Sequence, residues 1–418
     1  MKITALAIGS RGDVQPFVEL GKEMVKRGHS FKVAAFPRFR EYVESSGLEF
    51  APVNGDGDMM MRVLLSECKD GLAYLDGMKT LYRKNPEMMQ QAYEACKGAD
   101  IALYILLGGF VRHACEVLKI PCARVFFYPF DKTNMFSVQM PEMKRNTPLV
   151  GFTYTENELG MNMVTKSLLN GWRTEHGLKK WGLFSDYRKL YGEKVLTLYA
   201  YSEHLVPREP KWGGHIHVTG FWQGEETTDY QPDEKLQKFL ATGEKPIYIG
   251  FGSIVFAGME KVQRAIYEAV KETGIRVIMQ SGWMKWQTDD DENICYVDFV
   301  PHGWLFRQVK GVVHHGGAGT SAAGLRAGCP TFVLSFGGDQ YFWGLQIAER
   351  GLGPKPVNIH SGKWTKDEIK HGLVELKNGI YSDNAKMFGE MLRAENGCKN
   401  AADALENYCG KRIKNEVL

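Results

Sequence analysis

Short apolar runs rich in branched side chains recur along this chain, each separated from the next by a longer amphipathic stretch, and that alternation leaves little choice of fold. Strand-length runs joined by helix-length segments are the pattern of parallel strands with crossover helices, because parallel neighbours need a long connection. One series falls at about 2–8, 31–36, 48–52, 101–106, 122–128 and 195–202; a second falls at about 246–252, 275–280, 294–299, 311–315 and 330–335. The expectation is an α/β protein with two parallel-sheet domains facing a cleft. Ligands of such sheets sit beyond the carboxyl ends of the strands, so the loops that follow strands carry the chemistry.

A length of 418 residues suits two domains of roughly 100–200 residues each. Pro207, Pro210, Pro232, the pair Gly213-Gly214 and the run Gly224-Glu225-Glu226 mark connecting chain between the two series. The boundaries read as 1–215 for a first domain, 216–244 for a linker, 245–395 for a second domain and 396–418 for a C-terminal helix that packs back on the first. A formal charge of +3 is too small for nucleic-acid binding by counterion release, so any phosphate is bound locally. The eight cysteines form no Cys-x-x-Cys pair and no zinc-type spacing; they read as reduced, mostly buried thiols of a cytoplasmic protein. The N-terminus lacks the marks of a signal peptide, and the longest apolar candidate, 101–107, is strand length, so the expectation is a soluble or at most surface-associated protein.

Three strand-end loops have unusual chemistry. Gly9-Ser10-Arg11-Gly12-Asp13-Val14-Gln15-Pro16 follows the first strand, with a helix expected to start near Pro16. Asp13 then projects from a rigid turn, or else Asp13 or Gln15 merely caps the helix. Gly250-Phe251-Gly252-Ser253 opens the second series; its glycines allow close backbone approach and Ser253 can donate to an anion. In the third, a strand ends at His314-His315-Gly316-Gly317-Ala318-Gly319-Thr320, and a small-residue helix opens at about Gly319. Unpaired N–H groups and the positive dipole end at such a helix start, with His315 and the Thr320 hydroxyl, make a diphosphate cradle. One strand later, Asp339 and Gln340 offer a carboxylate and a carboxamide suited to vicinal sugar hydroxyls; from local sequence alone Asp339 reads equally well as a helix N-cap.

Taken together, the first loop, the His-His-Gly-Gly-Ala-Gly-Thr segment and the Gly-Asp-Gln segment resemble the nucleotide-sugar glycosyltransferases of the GT-B fold, two Rossmann-like domains facing a cleft. Within these the chain is most similar to the sterol glucosyltransferases and the antibiotic glycosyltransferases. The resemblance covers nearly the whole chain and is strongest over 1–55 and 295–357. It implies that Asp13 is the general base, that His315, Gly316, Gly317, Gly319 and Thr320 grip the donor diphosphate, to which the Ser253 hydroxyl is added on its own chemistry, and that Asp339 and Gln340 hold the sugar. Phe299 or Val300, in Phe299-Val300-Pro301-His302, would frame the uracil. Plant relatives carry a ribose-binding glutamate where this chain has Ala323, and a histidine base where it has the Ser-Arg-Gly-Asp loop.

The implied reaction is inverting transfer of a sugar, glucose from UDP-glucose first among donors, to a hydroxyl of a hydrophobic acceptor such as a sterol, other terpenoid, polyketide or phenolic. A positioned carboxylate that takes the alcohol's proton is worth roughly 100 to 10,000-fold. The helix terminus and His315 would stabilise the leaving diphosphate, so no cofactor and no metal is expected; the acidic run Asp289-Asp290-Asp291 reads as a solvated turn. Methionines concentrated over 53–190, among them Met88, Met89, Met140 and Met163, suit an adaptable apolar acceptor site or ordinary helical core. Competing readings are a nucleotide-sugar epimerase of the same fold, a non-catalytic sugar-nucleotide binding protein, and a nicotinamide enzyme; the last is disfavoured because Gly-x-Gly-x-x-Gly is missing after the first strand. The residues leave open the acceptor's identity, the oligomeric state and contact with a membrane surface.

Overall fold

Ile3, Ala5 and Leu6 keep both faces of β1 (Lys2–Leu6) dry, as a strand inside a parallel sheet requires. The computed structural model describes residues 1–55, 71–224, 230–252, 258–281 and 291–416. β1 pairs on one side with β2 (Ser30–Ala35), which pairs in turn with β3 (Glu49–Pro52). On its other side lie β4 (Ile101–Tyr104) and β5 (Cys122–Phe126). After a small antiparallel hairpin of β6 (Lys189–Leu190) and β7 (Glu193–Lys194), the sheet is completed by β8 (Leu196–Tyr199) and β9 (Ile216–Val218). Its order is β3-β2-β1-β4-β5-β8-β9, and every pair is parallel.

A second parallel sheet repeats this plan with β10 (Ile247–Ile249), β11 (Val277–Gln280), β12 (Ile294–Val297), β13 (Gly311–His314), β14 (Thr331–Ser335) and β15 (Val357–Asn358) in the order β12-β11-β10-β13-β14-β15. Val312 and Val313 point to opposite faces and join different apolar clusters, so both faces of this sheet carry core. Chain order reverses between β1 and β4 in the first sheet and between β10 and β13 in the second. Those switch points put the loops after β1 and β13 where such sheets bind ligands.

Two units result: Met1–Glu203 with Pro207–Gln223 and Asn396–Leu418, and His204–Val206 with Gly224–Glu395. The segment read as a linker over 216–244 is therefore corrected, because it contains β9 of the first sheet and, in the second unit, the helix Glu234–Ala241, whose N-cap Asp233 accepts the Leu236 N–H at 2.7 Å. The C-terminal helix Gly397–Glu416 lies in the first unit: it buries Ala401, Ala402 and Leu405, and Asp403 and Glu406 accept hydrogen bonds from Arg27 at 2.6 and 2.9 Å. Among the described residues no helix is long and apolar enough to cross a membrane.

The first helix, Arg11–Lys26, also differs from expectation. It starts five residues before Pro16 and carries that proline inside, because Ser10, in extended backbone, starts the helix through its partnership with Asp13. Met88 and Met89 are core residues, at 1% and 5% exposure, rather than pocket lining.

Candidate functional site

In the first unit the switch-point loop is built around one carboxylate. The Ser10 N–H donates to Asp13 Oδ2 at 2.7 Å, and the Ser10 hydroxyl donates to the same oxygen at 3.0 Å. Asp13 is thus the acidic partner of a capping box and, at the same time, the carboxylate at the carboxyl edge of the sheet; the two readings of the sequence describe one geometry. Its Oδ1 has no hydrogen bond among the described residues. A Cβ on Gly9 would sit 2.1 Å from Asp13 Oδ2, so glycine at position 9 is what lets the carboxylate fold back over the loop. Burial pushes the Asp13 pKa up, and the two bonds from Ser10 pull against that rise.

In the second unit β13 delivers two histidines to its switch point. His314, the last residue of the strand, is fully buried, and its Nδ1 accepts the Gly316 N–H at 2.8 Å. Gly316 has φ +92°, and a Cβ there would lie 2.6 Å from Val333 Cγ1 and 2.8 Å from the Gln340 carbonyl oxygen. The helix Ala318–Arg326 follows with Gly317 as N-cap, one residue earlier than expected. Its first-turn N–H groups have no carbonyl partner within the helix. The His315 ring lies against Gly317, half-buried, and its Nδ1 has no partner among the described residues. Burial, reinforced by the nearby His302, lowers the His315 pKa to about 4, so the imidazole is neutral near pH 7 and acts as an N–H donor rather than as a fixed cation.

The neighbouring loop, after β14, is turned by Gly337 and Gly338, at φ +145° and +62°. Asp339 occupies the N-cap position of the helix Gln340–Glu349 but makes no capping bond with its side chain; its Oδ2 accepts the Trp343 indole N–H at 2.7 Å instead. Gln340 is buried, and its Oε1 accepts the Phe336 N–H at 2.7 Å. That bond anchors one side of the carboxamide to the loop.

The nucleobase candidates separate. Phe299, just beyond β12, is 60% exposed, whereas Val300 is 4% exposed in the core and can offer only backbone. Ser253, Asp289 and Asp290 lie outside the described residues. Gly250 is explained by the protein itself, since a Cβ there would meet the Tyr248 hydroxyl at 2.1 Å. Sequence reasoning gave no role to His302, whose ring stacks on Phe306 at 4.4 Å and whose Nε2 lies 3.5 Å from the Tyr248 hydroxyl. Only its sequence neighbourhood, just after Phe299, hinted at it. Among the described residues no three His, Cys, Asp or Glu side chains are grouped as metal ligands would be.

Residues 3–137 match the model of the glycosyltransferase family 28 N-terminal domain, and residues 279–406 match that of the erythromycin biosynthesis protein CIII-like C-terminal domain. Sterol 3-beta-glucosyltransferases of Neurospora crassa and Yarrowia lipolytica are 33% and 32% identical over 97% of this chain, which spans 27% and 28% of their lengths. Among solved structures, the glycotransferase of kitacinnamycin superposes with a TM-score of 0.69 at 20% identity, covering 97% of this chain and 98% of that one. The calicheamicin glycosyltransferase CalG4 gives 0.68 at 16% identity, covering 98% of both chains. Two all-parallel doubly wound sheets with this overlap define a GT-B fold. Both domain models are matched in order along the chain, and its fold is that of the GT-B glycosyltransferases.

Proposed function

We propose that this chain transfers a sugar, glucose from UDP-glucose first among donors, to a hydroxyl of a hydrophobic acceptor of the sterol or terpenoid type. The observation that carries the donor half is the His315 ring against Gly317, the N-cap of the helix Ala318–Arg326, at the switch point of the second sheet. Backbone N–H groups, a helix dipole and a neutral imidazole suit a diphosphate whose negative charge grows as the bond to the sugar breaks. They would supply that stabilisation without a metal ion. Asp339 and the Gln340 amide group are assigned to the sugar hydroxyls, and exposed Phe299 to the base.

Asp13 is assigned the acceptor's proton. A carboxylate with an elevated pKa is a stronger base at the moment of attack, and its unengaged Oδ1 is the atom to receive the proton. One base and direct displacement invert the anomeric centre. Leu149, Phe152 and Met163, on the helix Pro148–Glu175 of the first unit, are exposed at 64%, 60% and 48%, which supports an apolar acceptor, as do the relatives named for sterol glucosylation.

The test is a donor-by-acceptor screen by mass spectrometry with UDP-glucose and TDP-glucose against sterols, terpenoids and phenols. Glycoside formation with nucleotide released only when an alcohol is present is the expected result. A changed sugar on an intact nucleotide donor, formed without any acceptor and with no net nucleotide release, would replace transfer by epimerisation.

A further inference from the structure

We infer that His314 is a positioning residue for the diphosphate loop: its Nδ1 holds the Gly316 N–H and so sets the backbone that presents His315 and the following helix start. This rests on the donor reading above and extends it to a residue with no ligand contact of its own. Three observations meet here. His314 is fully buried at the end of β13, where its backbone is fixed by pairing with Val333 of β14. Its Nδ1 accepts the Gly316 N–H at 2.8 Å, which places the ring proton on Nε2. Gly316 itself stands at φ +92°, wedged against Val333 and the Gln340 carbonyl oxygen, so it is also the point where the diphosphate loop touches the loop assigned to the sugar.

An aliphatic residue would fill the same space in the core. The imidazole does something an aliphatic cannot: it gives a buried backbone N–H in a left-handed turn an acceptor two residues earlier in the chain. The protein also tolerates a buried Nε2–H with no partner among the described residues to obtain it. Burial and the neighbouring His315 and His302 hold the His314 pKa well below the usual histidine value, which keeps the ring neutral and Nδ1 able to accept. Without that bond the Gly316 N–H seeks another acceptor and the turn relaxes, moving Gly317 and the ring of His315 that lies on it.

The test uses the full chain and calorimetric titration with UDP. In His314→Asn the amide oxygen falls close to the place of Nδ1 and retains the acceptor; in His314→Leu the volume is kept and the acceptor is lost. His314→Leu should weaken UDP binding about tenfold or more, as expected when several ligand donors are misdirected together, while His314→Asn stays within about threefold of wild type. Circular dichroism and thermal melting establish that both variants are folded. Equal UDP affinity in wild type and His314→Leu overturns the role of His314 and leaves the donor reading standing. A folded His314→Asn as weak as His314→Leu also overturns it, because the acceptor atom would then be irrelevant. Wild-type protein that does not bind UDP overturns the donor reading, and the role of His314 with it.

Discussion

His315 and Gly317 are in contact across the loop after β13: a Cβ built on Gly317 would lie 2.4 Å from His315 Nε2. Gly317→Ala should therefore push the ring aside and weaken UDP binding about tenfold, in a protein that remains folded. Gly319 is the contrasting position. A Cβ there meets nothing within 4 Å, so Gly319→Ala should leave thermal stability unchanged or slightly raised; it should still weaken UDP binding if the diphosphate lies on that turn. Calorimetry on the pair separates crowding of the histidine from crowding of the ligand.

Asp13→Asn keeps an oxygen for the Ser10 N–H, so the helix start should survive while the proposed base is lost. Turnover should fall by roughly 100 to 10,000-fold with UDP affinity unchanged. Asp13→Ala should lower the melting temperature as well, since the loss of a capping partner costs about 1 kcal/mol. In the wild type the acid limb of kcat/KM should lie above the ordinary carboxylate range, because burial raises the Asp13 pKa. Near-normal turnover of Asp13→Asn removes Asp13 from the mechanism.

His315 links the fold to pH with a definite sign. Its folded pKa of about 4 lies below the unfolded value of about 6.5, so the unfolded chain binds the proton more readily. The stability this group contributes is fully present above pH ~6.5 and is lost as pH falls toward about 4. Denaturant titrations over that window should show a shallower decline in His315→Gln than in wild type. A bound diphosphate should raise the same pKa, so UDP should bind with net proton uptake below neutrality, measured by calorimetry in buffers of different ionisation enthalpy.

Asp339 and Gln340 should behave differently despite being neighbours. Asp339→Asn keeps an acceptor for the Trp343 indole and removes the charge, so it should spare UDP affinity and reduce transfer and sugar selectivity. Gln340→Ala strands the buried Phe336 N–H and should cost about 1–3 kcal/mol of stability by chemical denaturation. Gln340→Glu, which restores an acceptor, should recover most of that loss. A Gln340→Ala protein as stable as wild type would mean that this bond is not what holds the loop.

Much of this protein could be read from residue order. The alternation of apolar runs with amphipathic stretches determined two successive parallel-sheet units, and residue order alone placed Asp13, His315 and Asp339 just after strands, at the carboxyl ends of the sheets. Those features are local and periodic, so a linear reading can see them. Strands β9 and β15, of three and two residues, escaped it because so few residues show no period and are selected by the edge they pair with. The tertiary structure alone decided what each polar atom is already doing. It gave the Gln340 side-chain oxygen Oε1 to the Phe336 N–H, the Asp339 carboxylate to Trp343 and the His314 ring to Gly316, and it turned Val300 into the core while leaving Phe299 exposed. Every buried donor must find an acceptor in three dimensions, and the nearest one is set by packing rather than by distance along the chain.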